Sequence, residues 1–176
     1  ILAAGQGTRM RSSVPKPLHR ICGRTMLDHV LNTVTRIGVE RTVVVVGAGA
    51  EELVAAVGDR AQTCEQAEQL GTAHAVMCAA DALAGFAGDV LVTYADVPLV
   101  TPETLRRLCA HHRQTEAAAT VLTAIVDDPR RYGRIVRDDG GRLVAIVEHN
   151  DATAEQRAIR EVNTGICVFA ADALRA

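Results

Sequence analysis

The sequence predicts one α/β domain built on a mostly parallel sheet with helices on both faces. Three apolar runs rich in β-branched residues, at 42–46, 89–96 and 119–126, have the composition of strands that are buried on both faces. Segments with helical periodicity lie between these runs, and 176 residues are enough for one hydrophobic core. Strands and helices in this alternation are typical of an open α/β sheet, which binds its ligands at the carboxyl ends of the strands.

The first half of the chain begins with a predicted strand and a helix. The segment 2–10, LAAGQGTRM, starts as a strand and runs directly into a glycine-rich bend. Apolar residues from Leu27 to Ile37 then repeat at helical spacing, and the repeat stops at Gly38. The first helix is therefore expected to end at that glycine.

Two further helices are predicted before residue 115. Thr72 is expected to cap the first of them, and Thr101 caps the second, with Pro102 at its first helical position. The apolar positions of the helix after Thr72 are Ala73, Val76, Met77, Ala80 and Leu83.

The second half of the chain changes character and predicts antiparallel structure. The segment 131–152 contains two short strand patterns around a DDGG turn, which is typical of a hairpin. The segment 160–174 adds one more strand and the start of a helix. We expect the small hairpin to cover the edge of the sheet where ligands bind.

Composition excludes several classes of protein. The net charge is −2, so no excess of basic residues predicts a sequence-independent grip on nucleic acid. The five cysteines are scattered, without C-x-x-C spacing, which favours a reducing cytoplasm over a disulfide framework or a zinc site. No apolar stretch is long enough to span a membrane, and the first residues are too short and too glycine-rich for a signal peptide. Without an initiating Met, the chain is expected to be a fragment.

The glycine-rich bend does not match the familiar phosphate-binding loops. A dinucleotide fingerprint would need a third glycine where Met10 stands, and a Walker loop would need lysine directly after its last glycine. Gly5 and Gly7 could still let backbone N–H groups approach an anion, with Arg9 and Lys16 converging on it. A glycine-rich turn with two solvated cations explains the same spacing, so the residues alone leave both interpretations open.

Six sequence motifs, taken in chain order, favour a nucleotide-binding interpretation of this bend. The segment LAAGQGTRMRSSVPKPLHRICGRTML resembles the signature loop of sugar-phosphate nucleotidyltransferases. QAEQLGTAHAV, YADVPL, DDPRRYGRIV, IVEHNDAT and EVNTGI follow it, and together they resemble the uridylyltransferase domain of the bacterial bifunctional UDP-N-acetylglucosamine pyrophosphorylase and acetyltransferase family. The resemblance covers nearly the whole chain. It implies a Rossmann-like fold of the nucleotide-diphospho-sugar transferase type.

The resemblance implies a reaction in which UTP and N-acetylglucosamine 1-phosphate give UDP-N-acetylglucosamine and pyrophosphate, for cell-wall precursor synthesis. Gln66 would pair its amide with the uracil edge. Lys16 and Arg9 would face the phosphates as the catalytic cations, and Asp96 would bind Mg²⁺. The remaining residues implied to contact the nucleotide or its surroundings are Leu2, Ala3, Ala4, Gly5, Gly71, Thr72 and Ala95.

The second half of the chain would select the sugar. The resemblance places Gly133, Glu148 and Asn163 around the N-acetylglucosamine, with Tyr94 close by. Glu148 can accept hydrogen bonds from sugar hydroxyls, Asn163 can donate and accept, and Gly133 is expected to make room for the ring.

No catalytic triad is needed for this chemistry. The sugar phosphate is already an anion and can attack the α-phosphorus of UTP without a general base. The barrier is the meeting of two anions, so catalysis reduces to alignment and neutralisation by Mg²⁺, lysine and arginine. None of the six histidines is assigned a catalytic role.

The chain departs from the family pattern in ways that bear on activity. Ala95 stands where the family often has glycine in YGD, and Ala73 where it often has glycine in GTGHA, so each adds one methyl group.

Residues 1–176 are expected to be one nucleotidyltransferase domain whose C-terminal part is absent. The second metal ligand of the family, an asparagine, and the acetyltransferase β-helix would lie beyond Ala176. The full-length family member would form a homo-oligomer, a trimer.

Two alternatives remain at this point. Another sugar-phosphate nucleotidyltransferase, making a GDP or dTDP derivative, would differ at Gln66, Glu148 and Asn163. A nucleotide-binding module without catalytic activity would not need Lys16 and Asp96 together.

Overall fold

Residues 1–3 lie at the centre of the sheet, between two parallel strands. The structure, a computed structural model, describes residues 1–5, 7 and 10–175 of the chain. The strands are β1 (Arg20–Ile21), β2 (Arg24–Thr25), β3 (Val43–Gly47), β4 (Gln62–Gln66), β5 (Asp89–Val92), β6 (Ala119–Ile125), β7 (Arg134–Arg137), β8 (Leu143–Val147) and β9 (Glu161–Ala170). The helices are α1 (Met26–Arg36), α2 (Glu51–Val57), α3 (Thr72–Met77), α4 (Pro102–Thr115), α5 (Ala154–Arg157) and α6 (Ala171–Arg175), with 3₁₀ turns at Lys16–Leu18, Gly58–Arg60 and Asp81–Leu83.

The first residues of the chain join two groups of strands into one sheet. Leu2 pairs in parallel with Val45 of β3 and with Tyr94, which follows β5. β4 extends the sheet in parallel on the far side of β3. The predicted parallel arrangement is thereby confirmed for this half of the sheet.

The other half of the sheet is antiparallel around β9. This strand pairs with β5 and β6 along its length and meets β7 at the single pair Arg134 and Val162. β7 and β8 form the predicted antiparallel hairpin. The sheet is therefore mixed, and the hairpin continues it through the pair of Arg134 with Val162. Cover of the ligand-binding edge by the hairpin stays a prediction.

Helices cover both faces of the sheet, as predicted. α1 begins with a capping box between Thr25 and Asp28 and is followed by Gly38, whose φ of 78° suits the end of a helix. α1 and α2 pack their apolar side chains against Val44 and Val46 of β3. α3 covers the opposite face, which carries Leu2, Val43, Val45 and Val92.

The helix predicted after Thr72 differs from the expectation. α3 ends at Met77, whose side chain is 69% exposed. Within α3 the buried residue is Ala75, and the turns that follow the helix bury Ala79 and Ala82 against the same face of the sheet. Gly71, not Thr72, is the N-cap residue, and no side chain caps this helix.

The strand predicted at 119–126 is less buried than expected. β6 pairs only with β9 among the described strands, so it lies at an edge of the sheet. Its residues are half-buried or exposed, and Ile125 is 75% exposed. An apolar, β-branched run therefore forms an edge strand here rather than a central one.

The helix predicted at Thr101 is confirmed. The Thr101 hydroxyl accepts a hydrogen bond from the backbone N–H of Thr104, and Pro102 occupies the first position of α4. Among the helices that the structure describes, none has the length and apolar character needed to cross a membrane.

Candidate functional site

A cleft of about 480 Å³ opens at the carboxyl ends of the parallel strands. Its lining comes from the ends of the first strand segment, β4 and β5, and from the loops that follow them. The lining residues include Leu2, Ala3, Ala4, Gly5, Gly7, Lys16, Gln66, Gln69, Gly71, Thr72, Tyr94 and Asp96. Most of the residues predicted to contact the nucleotide are therefore brought together in one cavity.

A larger groove of about 930 Å³ lies at the amino ends of the same strands. Val43 and Val90 contribute to its walls, and Leu2 is the one residue of the predicted site that it shares. Because the paired lysine and aspartate lie in the smaller cleft, that cleft is the candidate site.

Lys16 and Asp96 form an ion pair inside the cleft. Lys16 Nζ donates to Asp96 Oδ2 at 2.5 Å, across 80 positions of sequence. Lys16 begins a 3₁₀ turn between Pro15 and the buried Pro17, so two prolines restrict the backbone on either side of it. Lys16 is also the only lysine in the chain, a signal that the sequence contains and that motif spacing did not reveal.

The glycine-rich bend packs against Lys16. Gly7 has a φ of 59°, and a Cβ at this position would lie 2.7 Å from the Lys16 Cβ. No larger residue fits there without moving the lysine stem. A Cβ on Gly5 would meet nothing within 4 Å, so that position stays open toward the cleft. Arg9 lies outside the described residues.

Gln66 is buried at the end of β4, with 3% of its surface exposed. Its Nε2 donates to the Gly71 carbonyl at 3.1 Å and lies 3.0 Å from Nδ1 of His74. The amide nitrogen thus holds the loop that enters α3. Within the described part of the chain, the carbonyl Oε1 has no hydrogen bond of its own.

Gln69 is a cleft residue that the motif analysis did not assign. Its Nε2 donates to the Ala4 carbonyl at 2.7 Å, which ties the loop after β4 to the first strand segment. A Cβ on Gly47 would lie 3.2 Å from the same Ala4 carbonyl oxygen, so β3 also approaches closely at this point. Gln69 and Gly47 consequently both hold the backbone of Ala4 at the cleft in place.

Tyr94 lines the cleft and also lies against Gly165 in the second half of the chain. Burial raises the pKa of its phenol, a side-chain hydrogen bond with Thr72 offsets part of this rise, and the charges of Asp96 and Glu148 add to it. These interactions put Tyr94 close to both groups of predicted residues.

The predicted sugar residues come together beside Tyr94. The backbone N–H of Asn163 donates to the Gly133 carbonyl at 2.8 Å. A Cβ on Gly133 would lie 3.0 Å from Glu148 Oε1 and 3.4 Å from the Ile146 side chain. Gly133 therefore makes room for Glu148, rather than presenting open space for a ring as expected.

Arg134 organises the backbone around this second group. Its side chain is buried, and its guanidinium donates to the carbonyls of Pro129, Arg130, Tyr132 and Arg157. A buried arginine that binds four carbonyls orders the loop that carries Gly133. Its position at the start of a predicted strand concealed this function in the sequence.

The two alanines that depart from the family pattern do not narrow the cleft. Ala95 is 1% exposed and packs in the core with Ala3 and Leu27. Ala73 lies on the exposed side of α3. Neither lies among the residues that line the cleft.

The described residues contain no cluster of three or more histidine, cysteine or acidic side chains placed to bind a metal ion. Asp96 is the one carboxylate that lines the cleft. A single carboxylate suits Mg²⁺, which keeps several waters and takes phosphate oxygens as ligands. The residues present therefore fit an ion that arrives with a triphosphate.

The chain shares its fold with nucleotidyltransferases of known structure. It matches UDP-glucose pyrophosphorylase in complex with UDP-glucose with a TM-score of 0.76 and 18% identity, over 97% of this chain and 75% of that one. It matches a protein described as a glucose-1-phosphate thymidylyltransferase from Bacillus anthracis with a TM-score of 0.80 and 18% identity, over 99% of this chain and 71% of that one.

Curated relatives are much closer in sequence. The chain is 52% identical to the bifunctional protein GlmU of Pelotomaculum thermopropionicum, over 99% of this chain and 38% of that protein. It is also 52% identical to the bifunctional protein GlmU of a Geobacillus species, over 96% of this chain and 37% of that protein. The chain thus spans less than two fifths of the length of these relatives. Residues 1–162 match the MobA-like NTP transferase domain. The chain belongs to the MobA-like NTP transferase family.

Proposed function

We propose that this chain carries an N-acetylglucosamine-1-phosphate uridylyltransferase activity, which forms UDP-N-acetylglucosamine and pyrophosphate from UTP and N-acetylglucosamine 1-phosphate. The observation that carries the proposal is the Lys16–Asp96 pair in the cleft at the carboxyl ends of the strands. The similarity to bifunctional GlmU proteins over nearly the whole chain supports this choice among nucleotidyltransferases.

The reaction is a displacement at phosphorus. A phosphate oxygen of the sugar phosphate forms a bond to the α-phosphorus of UTP, and the bond from that phosphorus to the bridging oxygen of pyrophosphate breaks. No proton has to be removed from the attacking oxygen at neutral pH. The protein therefore has to align two anions and offset their charge, which Lys16 does as a positive charge beside the triphosphate.

Asp96 is proposed to hold Mg²⁺ together with the phosphates. Nucleotidyltransferases of this type generally depend on a divalent metal ion. When bound, the ion supplies positive charge to the phosphate oxygens. Lys16 and Asp96 would separate as the nucleotide enters, since the lysine gains the phosphates and the carboxylate gains the ion.

Gln66 is proposed to select uracil through its carbonyl oxygen. Its Nε2 is already used by Gly71 and His74, so Oε1 is the atom left to meet the base. Uracil presents an N3–H donor to this acceptor, whereas cytosine presents an unprotonated ring nitrogen. The arrangement accordingly favours UTP over CTP.

The group around Gly133 is proposed to bind the acceptor sugar. Glu148 is exposed and can accept from sugar hydroxyls, and Asn163 has an amide nitrogen available to donate. Tyr94 lines the cleft, its side chain bonds Thr72, and the charge of Glu148 acts on its phenol, which supports a sugar site next to the cleft. The acceptor phosphate would then point toward Lys16.

Pyrophosphate release tests the proposal. The purified protein is incubated with ATP, GTP, CTP or UTP, with N-acetylglucosamine 1-phosphate and Mg²⁺ each present or omitted. Release that requires UTP, the sugar phosphate and Mg²⁺ together is the expected result. In a parallel series with glucose 1-phosphate as the acceptor, release that requires UTP and this sugar phosphate instead would move the assignment to another sugar nucleotide. Binding of UTP without any release would leave a nucleotide-binding module.

A further inference from the structure

β9 contains an irregularity beside the proposed sugar site. In the pairing of β6 with β9, Val121 lies opposite Cys167, and the next paired residues are Thr123 and Asn163. Between these pairs, the single residue Leu122 faces three residues of β9, 164–166. Such bulges bend a strand and redirect its side chains, and they are frequent next to active sites. Gly165, with a φ of 78°, lies at the centre of this one.

Gly165 is in contact with the ring of Tyr94. A Cβ at residue 165 would lie 2.6 Å from Tyr94 Cε2, 2.9 Å from Cζ and 2.7 Å from the phenol oxygen. Three contacts this short involve a rigid ring that also bonds Thr72, so the ring has little freedom to give way. The position of Tyr94 therefore depends on the absence of a side chain at 165.

The same glycine orients Asn163. Its backbone N–H donates to Asn163 Oδ1 at 2.8 Å. This bond uses the oxygen of the amide and leaves the nitrogen as the group that can donate to a ligand. The Thr164 hydroxyl donates to the Leu122 carbonyl at 2.6 Å, which anchors the bulge to β6.

We propose that Gly165 is a positioning residue for the acceptor-sugar site, because its missing side chain seats the Tyr94 ring and its N–H sets the Asn163 amide. The inference rests on the proposed function for the identity of the ligand. It adds a residue that itself contacts no substrate. Its effect passes through two side chains that arrive from different strands.

Two other glycines with the same φ allow the cost of the Tyr94 contact to be separated from the cost of backbone strain. Gly38 and Gly141 have the same φ of 78°, and a Cβ on either would meet nothing within 4 Å. Gly38→Ala and Gly141→Ala measure the cost of alanine at this φ, which we expect to lower Tm by roughly 2–4 °C. Gly165→Ala is expected to lower Tm at least twice as far. A decrease equal to that of the controls would overturn the claimed contact.

A second variant keeps the test informative if Gly165→Ala folds poorly. In a Tyr94→Ala background the ring is gone, so Gly165→Ala should lower Tm only by the amount seen in the two control glycines. An unchanged large decrease in that background would contradict the proposal, because the cost would then not involve Tyr94.

Tyrosine fluorescence reports the ring directly. The chain has two tyrosines and no tryptophan, so emission from a Tyr132→Phe background comes from Tyr94 alone. Gly165→Ala in this background should raise the acrylamide quenching constant of Tyr94 about twofold, since the half-buried ring is displaced. Gly141→Ala should leave the constant unchanged. An unchanged constant in Gly165→Ala would rule out a role in seating the ring.

Steady-state kinetics test the effect of Gly165 on the use of the acceptor sugar. Gly165→Ala should raise KM for N-acetylglucosamine 1-phosphate about tenfold and KM for UTP less than about twofold, because Tyr94 is only one of many residues that line the cleft, whereas Asn163 and Tyr94 together form a large part of the proposed sugar site. Equal changes in the two KM values would overturn the assignment to the sugar. If the wild-type protein releases no pyrophosphate, the proposed function fails, while the Tm and quenching comparisons still decide whether Gly165 positions Tyr94.

Discussion

The Lys16 ammonium and the Asp96 carboxylate are paired at 2.5 Å although neither is deeply buried, with side chains 38% and 32% exposed. An exposed pair of this kind contributes only about 0–1 kcal/mol to stability. The pair nevertheless brings the only lysine of the chain to the end of a central strand. Its location is therefore better explained by chemistry in the cleft than by stability.

Lys16→Ala should reduce kcat/KM for UTP about 100-fold or more while it lowers the free energy of unfolding by less than about 1 kcal/mol. The reason is that a half-exposed loop lysine contributes little to the core. Steady-state kinetics and urea unfolding measure the two effects. Arg113→Ala, which removes a 2.8 Å bond to Asp89 outside the cleft, is the matched control and should leave kcat/KM unchanged. Proportionate loss of folding and activity in Lys16→Ala would contradict the assigned role.

Asp96→Asn should abolish Mg²⁺-dependent turnover, since an amide is a poor ligand for a hard cation. Binding of Mn²⁺ in the presence of UTP, followed by electron paramagnetic resonance, should weaken at least about tenfold. Asp139→Asn, in the exposed turn of the hairpin, is the control and should change neither quantity. An unaltered metal titration in Asp96→Asn would show that the metal ligand lies elsewhere.

Gln66→Leu should lower kcat/KM for UTP about tenfold or more and leave CTP little affected, because the acceptor for the uracil N3–H is lost. The ratio of the two kcat/KM values is the quantity to measure. His74→Leu removes one partner of Gln66 Nε2 but keeps Oε1, so it should preserve the preference for UTP. An equal loss of preference in both variants would make Gln66 a purely structural residue.

Stability should depend on pH through Asp28 at the start of α1. Burial acts to raise the pKa of Asp28, but hydrogen bonds from Thr25 and Arg60 outweigh it and lower the pKa. Because the folded pKa lies below the unfolded one, this stabilisation is present above about pH 4 and is lost as the pH falls through the folded pKa.

Asp28→Asn should accordingly reduce the free energy of unfolding by about 0.5–1 kcal/mol at pH 7, and the difference from wild type should shrink as the pH falls through the folded pKa of Asp28. Urea unfolding at a series of decreasing pH values gives the measurement. Asp59→Asn, which changes the exposed residue next to Arg60, serves as the control. A difference that stays constant as the pH falls would exclude the charge of Asp28 as its origin.

Several elements could be predicted from the amino-acid sequence because their signals are local. The capping residue Thr101, the stop at Gly38 and the apolar run of β3 all lie within the element that they define, so periodicity and capping chemistry were sufficient. The DDGG turn likewise predicted its hairpin. The motifs also named Lys16 and Asp96, whose types suit phosphate and metal.

Contacts between residues that are far apart in the chain could not be predicted from such local signals. The contact of Gly165 with Tyr94 and the pairing of Lys16 with Asp96 depend on the order and direction of strands, which local periodicity does not encode. The same holds for α3, which buries Ala75 against the sheet and leaves Met77 exposed. Strand pairing and close approach are properties of the assembled chain, because their energies arise between segments that are far apart in sequence.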